Sequence, residues 1–414
     1  MGILDRLSDP AAWAEFREYK STRGNTSNRD VKKLDEFISG AGYLPVTDRL
    51  GEEHFGFPLP LKRVINKSGS RKKRVIYTFP EAETYVLKLM TFLLYKYDGY
   101  MSGSCFSFRR GVTAKDAIDD ILRRAEPSRS FVLKADVSDY FNSIPEEKLA
   151  RALGDVVTDD PALLLFLTDF YTRGAATDGE KTVYENRGAM AGVPLSAFAA
   201  NVYLASLDRA FEARGVPYYR YSDDILVFAK SEDELKECEK LLGDHLKEKG
   251  LSLNPDKVAV SAPGDPWEFL GFRYDGGKID LSLPTLKKMK DKISRKCRAL
   301  YRWRIRKNVG FERAARVVIR LFNRKYFDEE GFHDFTWSRW FFPVLTTDAC
   351  LRELDRYLAD HLRYIATGRF YKGNYRVTYG DLKALGYRSL VNEYHKFRRG
   401  TEQTAGSRSA GVDN

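Results

Sequence analysis

Two adjacent aspartates interrupt an otherwise apolar and aromatic run, Tyr218-Tyr-Arg-Tyr-Ser-Asp-Asp-Ile-Leu-Val-Phe228. Residues 216–229 read as a β-hairpin with its turn near Ser222-Asp223, since apolar arms flank a polar tip. Taken alone, the acids have an ordinary explanation, because Asp is favoured in turns. A second apolar segment, Phe131-Val-Leu-Lys-Ala-Asp-Val137, reads as a strand that ends in an acid, Asp136. Its ordinary role is a helix N-cap or a strand end. Laid side by side in one sheet, the two segments would bring Asp136, Asp223 and Asp224 to one edge. Two like charges ~4 Å apart repel by ~4 kcal/mol at an effective dielectric of ~20, so such a cluster calls for protons or cations. Oxygen-only ligands suit Mg²⁺, which keeps waters and binds through one or two carboxylates plus substrate phosphates. Two ions so placed clamp the attacking and leaving oxygens of an in-line phosphoryl transfer.

The rest of the chain is consistent with a polyanionic partner. The net charge of +11 favours nucleic acid or an anionic surface. Residues 285–326 hold sixteen Lys or Arg against two acids, a surplus larger than the net charge of the whole protein. That segment reads as helical, with Leu286, Met289, Ile293 and Leu300 keeping an apolar stripe. Two short helices are expected near the N-terminus, one after Asp9-Pro10 and one near Val31 to Ile38. Residues 61–79 read as a hairpin with its turn at Lys67 to Arg71, followed by a long helix. Helices are expected over 193–211 and 231–249, and short strands near Val258 to Ser261, Phe269 to Tyr274 and Lys278 to Leu281. The four cysteines are too dispersed for a zinc or redox motif, which predicts a reducing, cytoplasmic setting. No apolar run approaches the ~20 residues a spanning helix needs.

At this level the chain resembles the reverse transcriptases. Tyr221-Ser-Asp-Asp224 is similar to their YxDD motif. Lys134-Ala-Asp-Val-Ser-Asp-Tyr-Phe-Asn-Ser-Ile144 resembles their first palm motif, and Gly188-Ala-Met-Ala-Gly192-Val-Pro-Leu-Ser196-Ala-Phe-Ala-Ala-Asn201 aligns without gaps to GxPQGxxxSPxxAN. Met190 and Ala191 replace the usual Pro-Gln there, and Ala197 the second Pro. Gly250 to Lys257, Glu268 to Phe272 (the primer-grip position) and Phe106 to Gly111 match further motifs in the expected order. The resemblance covers about residues 60–330.

The resemblance implies an α+β right-hand polymerase: fingers, a palm built on a small antiparallel sheet with helices on one face, and a helical thumb. The expected segments are an N-terminal helical extension (1–60), fingers (61–130), palm (131–284, with finger insertions at about 150–190), basic thumb (285–330), a C-terminal helical extension (331–400) and a disordered tail (401–414). Asp136, Asp223, Asp224 and the Val137 carbonyl would hold two Mg²⁺, with Mn²⁺ as the substitute. Lys67, Arg74, Ser138, Asp139, Tyr140, Gly192 and Lys257 would line the nucleotide site. Phe141, five residues after Asp136, holds the position whose ring excludes a ribose 2′-hydroxyl. Lys67, Arg71 and Arg74 have an ordinary alternative as a solvated hairpin face, and Gly192 as a helix-start glycine, although the flanking motif favours a close backbone approach to a ligand at Gly192. Tyr221, Arg302, Trp303, Arg304 and Arg306 would contact nucleic acid, although Trp303 fits a core position as well. The implied activity is RNA-directed DNA polymerisation with an RNA template, dNTPs and a DNA product duplex, and without a membrane partner. The altered second motif and the length look most like the stand-alone, defence-associated bacterial enzymes of type 2, which copy a non-coding RNA; the VTG thumb signature of retron enzymes is lacking, and 414 residues are few for an intron-encoded enzyme. An RNA-dependent RNA polymerase, a nucleotidyl cyclase and a non-enzymatic RNA-binding protein on a palm are the alternatives. The sequence sets no oligomeric state.

Overall fold

The computed structural model describes residues 2–22, 26–66, 73–327 and 336–409. Lys67 and Arg71, with the turn of the first hairpin, lie outside the described residues. The chain divides into two compact units, Met1–Asp265 and Pro266–Asn414. Residues 266–284, the end of the expected palm, lie in the second of these units. The architecture is α+β, with no described helix long and apolar enough to cross a membrane.

Two four-stranded sheets organise the first unit. The first contains β1 (Leu61–Asn66) and β2 (Lys73–Thr78), an antiparallel hairpin in which Val64 faces Val75. β4 (Ala175–Asp178) and β5 (Lys181–Tyr184) complete it, with Leu61 pairing in parallel to Thr177. The sequence gives little warning of β4, because Ala175-Ala176 carries no β-branched or alternating signal.

The second sheet has the order β6-β7-β3-β8. It comprises β3 (Phe131–Asp136), β6 (Tyr218–Tyr221), β7 (Asp224–Ala229) and β8 (Ala259–Ser261), all antiparallel. Side chains alternate across a strand. Leu133, Ala135, Ile225 and Val227 therefore share one face, where they join the main core with Leu204, Leu207, Leu235 and Leu242 from helices Ser196–Arg214 and Glu232–Glu248. Val132, Lys134 and Asp136, with Asp224, Leu226 and Phe228, take the opposite face by the same parity.

The second unit opens on a meander, β9 (Trp267–Phe269), β10 (Phe272–Asp275) and β11 (Lys278–Leu281). The single strand expected over Phe269 to Tyr274 is split by a turn with positive φ at Leu270 (52°) and Gly271 (87°). This is the backbone twist that two-residue hairpin loops favour. The basic helix Leu283–Arg306 begins at Ser282, whose side chain accepts from the Thr285 amide, and buries Leu286, Met289, Ile293 and Cys297. Helix Phe311–Tyr326 buries a stripe from Ala314 to Tyr326. Helix Ala349–Thr367 packs along the first of these. The last helix, Leu390–Ser409, carries the backbone through most of the segment expected to be a disordered tail.

Leu133 is fully buried at the centre of the strand that carries Asp136. Leu133→Ala should cost ~2–5 kcal/mol of stability, read as a lower urea midpoint with an unchanged m-value.

Candidate active site

The sheet register builds the acidic edge. Asp136, the last residue of β3, stands opposite Asp224, the first residue of β7, so both side chains lie on the face away from the two helices. Asp223 sits in the β6–β7 turn beside Ser222, whose φ of 62° is unusual for a residue with a side chain. Three hydrogen bonds from backbone amides fix this corner. The Val137 amide donates to the Asp223 carbonyl (3.1 Å), the Asn254 amide donates to the Asp136 carbonyl (2.8 Å), and the Ser222 amide donates to the Ser107 hydroxyl (2.9 Å). Burial, reinforced by the charge of Asp136, pushes the Asp223 carboxyl above the usual carboxylate range. Burial also raises Asp224; Lys134 opposes that shift, while Asp223 and Asp136 add to it.

Lys257 does not occupy open space as placed, because its ammonium donates to Asp136 Oδ2. Among the described residues no three His, Cys, Asp or Glu side chains converge closely enough to hold an ion in this arrangement. The donor set nevertheless fits a hard divalent cation. It consists of oxygens only, three carboxylates and a backbone carbonyl, and two of the acids are held above their normal pKa by burial and by neighbouring carboxylates.

A wholly buried ion pair lies beneath the turn. Arg220 of β6 donates from Nε to Asp208 Oδ1 (2.7 Å) and from Nη2 to Oδ2 (2.5 Å). Both side chains are completely shielded from solvent. Asp208 also accepts from the Tyr218 hydroxyl (3.0 Å). Asn201 donates to the Ser107 carbonyl (2.7 Å) and accepts from the Ser107 hydroxyl (2.9 Å), the same hydroxyl that receives the Ser222 amide. Sequence reasoning missed the roles of Ser107, Asp208 and Arg220. The available signal was one cation in an apolar strand and one acid inside the apolar run from Ala199 to Phe211, since buried charges come in pairs.

The nucleotide-site expectations divide. Phe141 is half-buried and meets the exposed ring of Phe108 edge-on (6.4 Å between centroids), and Phe108 also neighbours Tyr221 (6.2 Å). Tyr140 is buried, its hydroxyl donating to the Ala200 carbonyl, so its ring is a packing element. Asp139 adopts φ 39° and heads the one-turn helix Tyr140–Ser143. The Ser138 amide is already bonded to the Ser252 carbonyl (2.9 Å), and Arg74 is exposed on β2.

Gly192 was expected to let backbone approach a ligand. With φ 101°, it lets the loop approach β2: a Cβ there would lie 3.0 Å from the Tyr77 carbonyl. The Tyr77 amide donates to Ala191 O (2.8 Å), and Met190 is fully buried, so the two substituted motif positions serve packing. Asn142, also missed, ties this corner together by donating to the Val75 carbonyl (3.2 Å) and accepting from the Ala191 amide (3.2 Å).

Within the second unit, Arg302 and Arg306 are exposed and Trp303 is half-buried. Arg304, expected on nucleic acid, donates to the Ala366 carbonyl (3.0 Å) at the C-terminal end of helix Ala349–Thr367. A cation there satisfies orphan carbonyls and complements the helix dipole, which is a structural role.

Residues 65–274 match the family described as Reverse transcriptase (RNA-dependent DNA polymerase). Retron Ec86 reverse transcriptase of Escherichia coli is 24% identical over 179 residues, covering 42% of this chain and 52% of that protein. The chain thus spans about half the length of the curated relative it matches. Among solved structures, apo telomerase from Candida tropicalis, truncated from its C-terminal domain, gives a TM-score of 0.44 at 13% identity, covering 62% of this chain and 63% of that one. Telomerase from Candida albicans, in complex with a fragment of telomeric RNA, gives 0.42 at 14% identity, covering 89% and 70%.

Arg220→Met or Asp208→Leu alone should destabilise the first unit by ~3–5 kcal/mol, because each strands a buried charge. The double variant should lose less than the sum of the two, a coupling that a double-mutant cycle in urea would measure.

Proposed function

We propose, since this chain belongs to the reverse transcriptase (RNA-dependent DNA polymerase) family, that it is an RNA-directed DNA polymerase adding dNTPs to a primer 3′ end. The observation that carries the reading is the register pair Asp136–Asp224 with Asp223 in the intervening turn. Asp136, Asp223, Asp224 and the Val137 carbonyl would hold two Mg²⁺, which supply nucleophile activation and charge neutralisation in phosphoryl transfer. Lys257, paired with Asp136, has a flexible stem and a point charge suited to a triphosphate oxygen. Arg74, exposed on the adjoining hairpin, would serve the same anion. Phe141, supported edge-on by Phe108, would exclude a 2′-hydroxyl from the sugar subsite.

The template is proposed to be a structured non-coding RNA, in an antiphage setting. Support comes from the altered motif at Met190 and Ala191 and from the basic segment 285–326, whose self-repulsion a nucleic-acid backbone would relieve. A second reading, a non-catalytic RNA-binding palm, draws on one observation, the Lys257–Asp136 pair where a metal ligand would stand.

A primer-extension assay separates them. The polymerase should incorporate dNTPs only with Mg²⁺ or Mn²⁺ present. Asp223→Ala with Asp224→Ala should lower the rate by ~10³-fold or more while leaving RNA affinity in EDTA unchanged. Wild-type protein that binds RNA but never extends a primer would favour the second reading. Phe141→Ala should reduce discrimination between dNTP and rNTP by roughly tenfold or more, measured as the ratio of their kcat/KM values.

A further inference from the structure

The second unit exposes a short aromatic and basic segment that none of the chemistry above uses. Within ten residues, Phe370, Tyr371, Tyr375 and Tyr379 are 54%, 55%, 59% and 41% exposed. Arg369, Lys372 and Arg376 alternate with them and are also exposed, and residues 361–380 contain four Lys or Arg and no Asp or Glu.

These rings are supported from behind. Phe370 stacks on Tyr364 (4.9 Å, 27°) and meets His361 edge-on. Tyr375 has the Arg363 guanidinium 4.8 Å from its centroid. Tyr371 rests on the backbone at Gly373, where a Cβ would come within 2.3 Å of its ring. Tyr379 is backed by Lys383 (5.1 Å) and the edge of Tyr387. Each ring is thereby held in place yet keeps a large exposed area.

The backbone beneath is equally constrained. Buried Asn374 donates to the Arg369 carbonyl (2.5 Å) and accepts from the Thr367 hydroxyl (2.8 Å), and Arg363 donates to the Val377 carbonyl (2.9 Å). Gly368, at φ 75°, lies against the Tyr301 ring with no room for a Cβ. Polar anchoring of this kind fixes large apolar side chains outward before any partner arrives, which removes part of the ordering cost of binding.

We propose that this segment is a stacking platform for single-stranded RNA. Exposed rings accept unpaired bases on their faces regardless of sequence, and interleaved cations follow the phosphates. Asp360 is engaged by Arg363 and Asp381 caps the helix that begins at Tyr379, so the charges interleaved with the exposed rings are Arg369, Lys372 and Arg376, which favours a polyanion over a protein or a second copy of the chain. The choice of RNA over DNA rests on the polymerase reading; the stacking role does not.

The test uses the full chain in EDTA, with fluorescence anisotropy on an unstructured RNA 12-mer and an RNA duplex of the same length. Tyr371→Ala with Tyr375→Ala should weaken single-strand binding by roughly tenfold or more and leave duplex binding within about twofold. Tyr371→Phe with Tyr375→Phe, which keeps both rings, should bind as wild type. Arg369→Gln with Lys372→Gln should flatten the salt dependence by roughly one to two ion equivalents. A thermal melt of each variant reports folding. Unchanged single-strand affinity in a folded alanine variant overturns the proposal, as does an equal loss on duplex. Tighter binding to a DNA 12-mer overturns the RNA assignment. A change in oligomeric state with RNA affinity intact assigns the patch to protein contact and overturns it too. Primer extension is scored separately, so failure of the platform and failure of the polymerase reading are distinguishable.

Discussion

The ion pair between Arg220 and Asp208 is the constraint on which the acidic corner depends. A charge with no access to water must have a partner of good geometry, and here both carboxylate oxygens are engaged by one guanidinium. The pair joins β6 to helix Ser196–Arg214, so it sets where the β6–β7 turn can lie above that helix. Asn201 and Ser107 extend the restraint to the Ser222 amide. Asp223 and Asp224 follow immediately. Their position is thus determined from below, by groups that never meet the face on which Asp136 and Asp224 lie. A hydrophobic replacement of the pair could match it in stability, but the orientation that two directional bonds impose would be lost.

What the sequence revealed follows a physical division. Strands with β-branched and aromatic alternation, and acids at their ends, were legible because pattern and position coincide: β3, β6 and β7 lie where residues 131–137 and 216–229 placed them. Short strands of small residues, such as β4, leave no periodic trace; β4 is held by its four-residue antiparallel pairing with β5 and one parallel pair to β1. Side-chain roles were harder to read, because a cation's partner is a matter of three-dimensional proximity. Arg304 has the composition of a nucleic-acid contact and the geometry of a helix cap. Gly192 needs its missing side chain for the approach of β2, and nothing in its motif distinguishes that from closeness to a ligand.

The same division explains how the acidic edge stays folded as placed. Burial and mutual repulsion raise Asp223 and Asp224, and Lys257 supplies Asp136 with a counter-charge from an adjacent loop. The arrangement tolerates its charges without resolving them. The corner therefore rests on electrostatic balance, whereas the core around Leu133 rests on apolar burial.

The place of β3 in its sheet has a consequence for how the chain is made. β3 is flanked by β7 and β8, and both of these lie later in the chain, at 224–229 and 259–261. During synthesis, the strand that carries Asp136 emerges with neither edge covered and stays so until nearly the whole first unit has left the ribosome. Its pairings are distant in sequence, which makes them slow to close, and an unpaired apolar strand is a template for association with other chains. The chain between residues 136 and 261 must therefore be made before both edges of β3 can be paired.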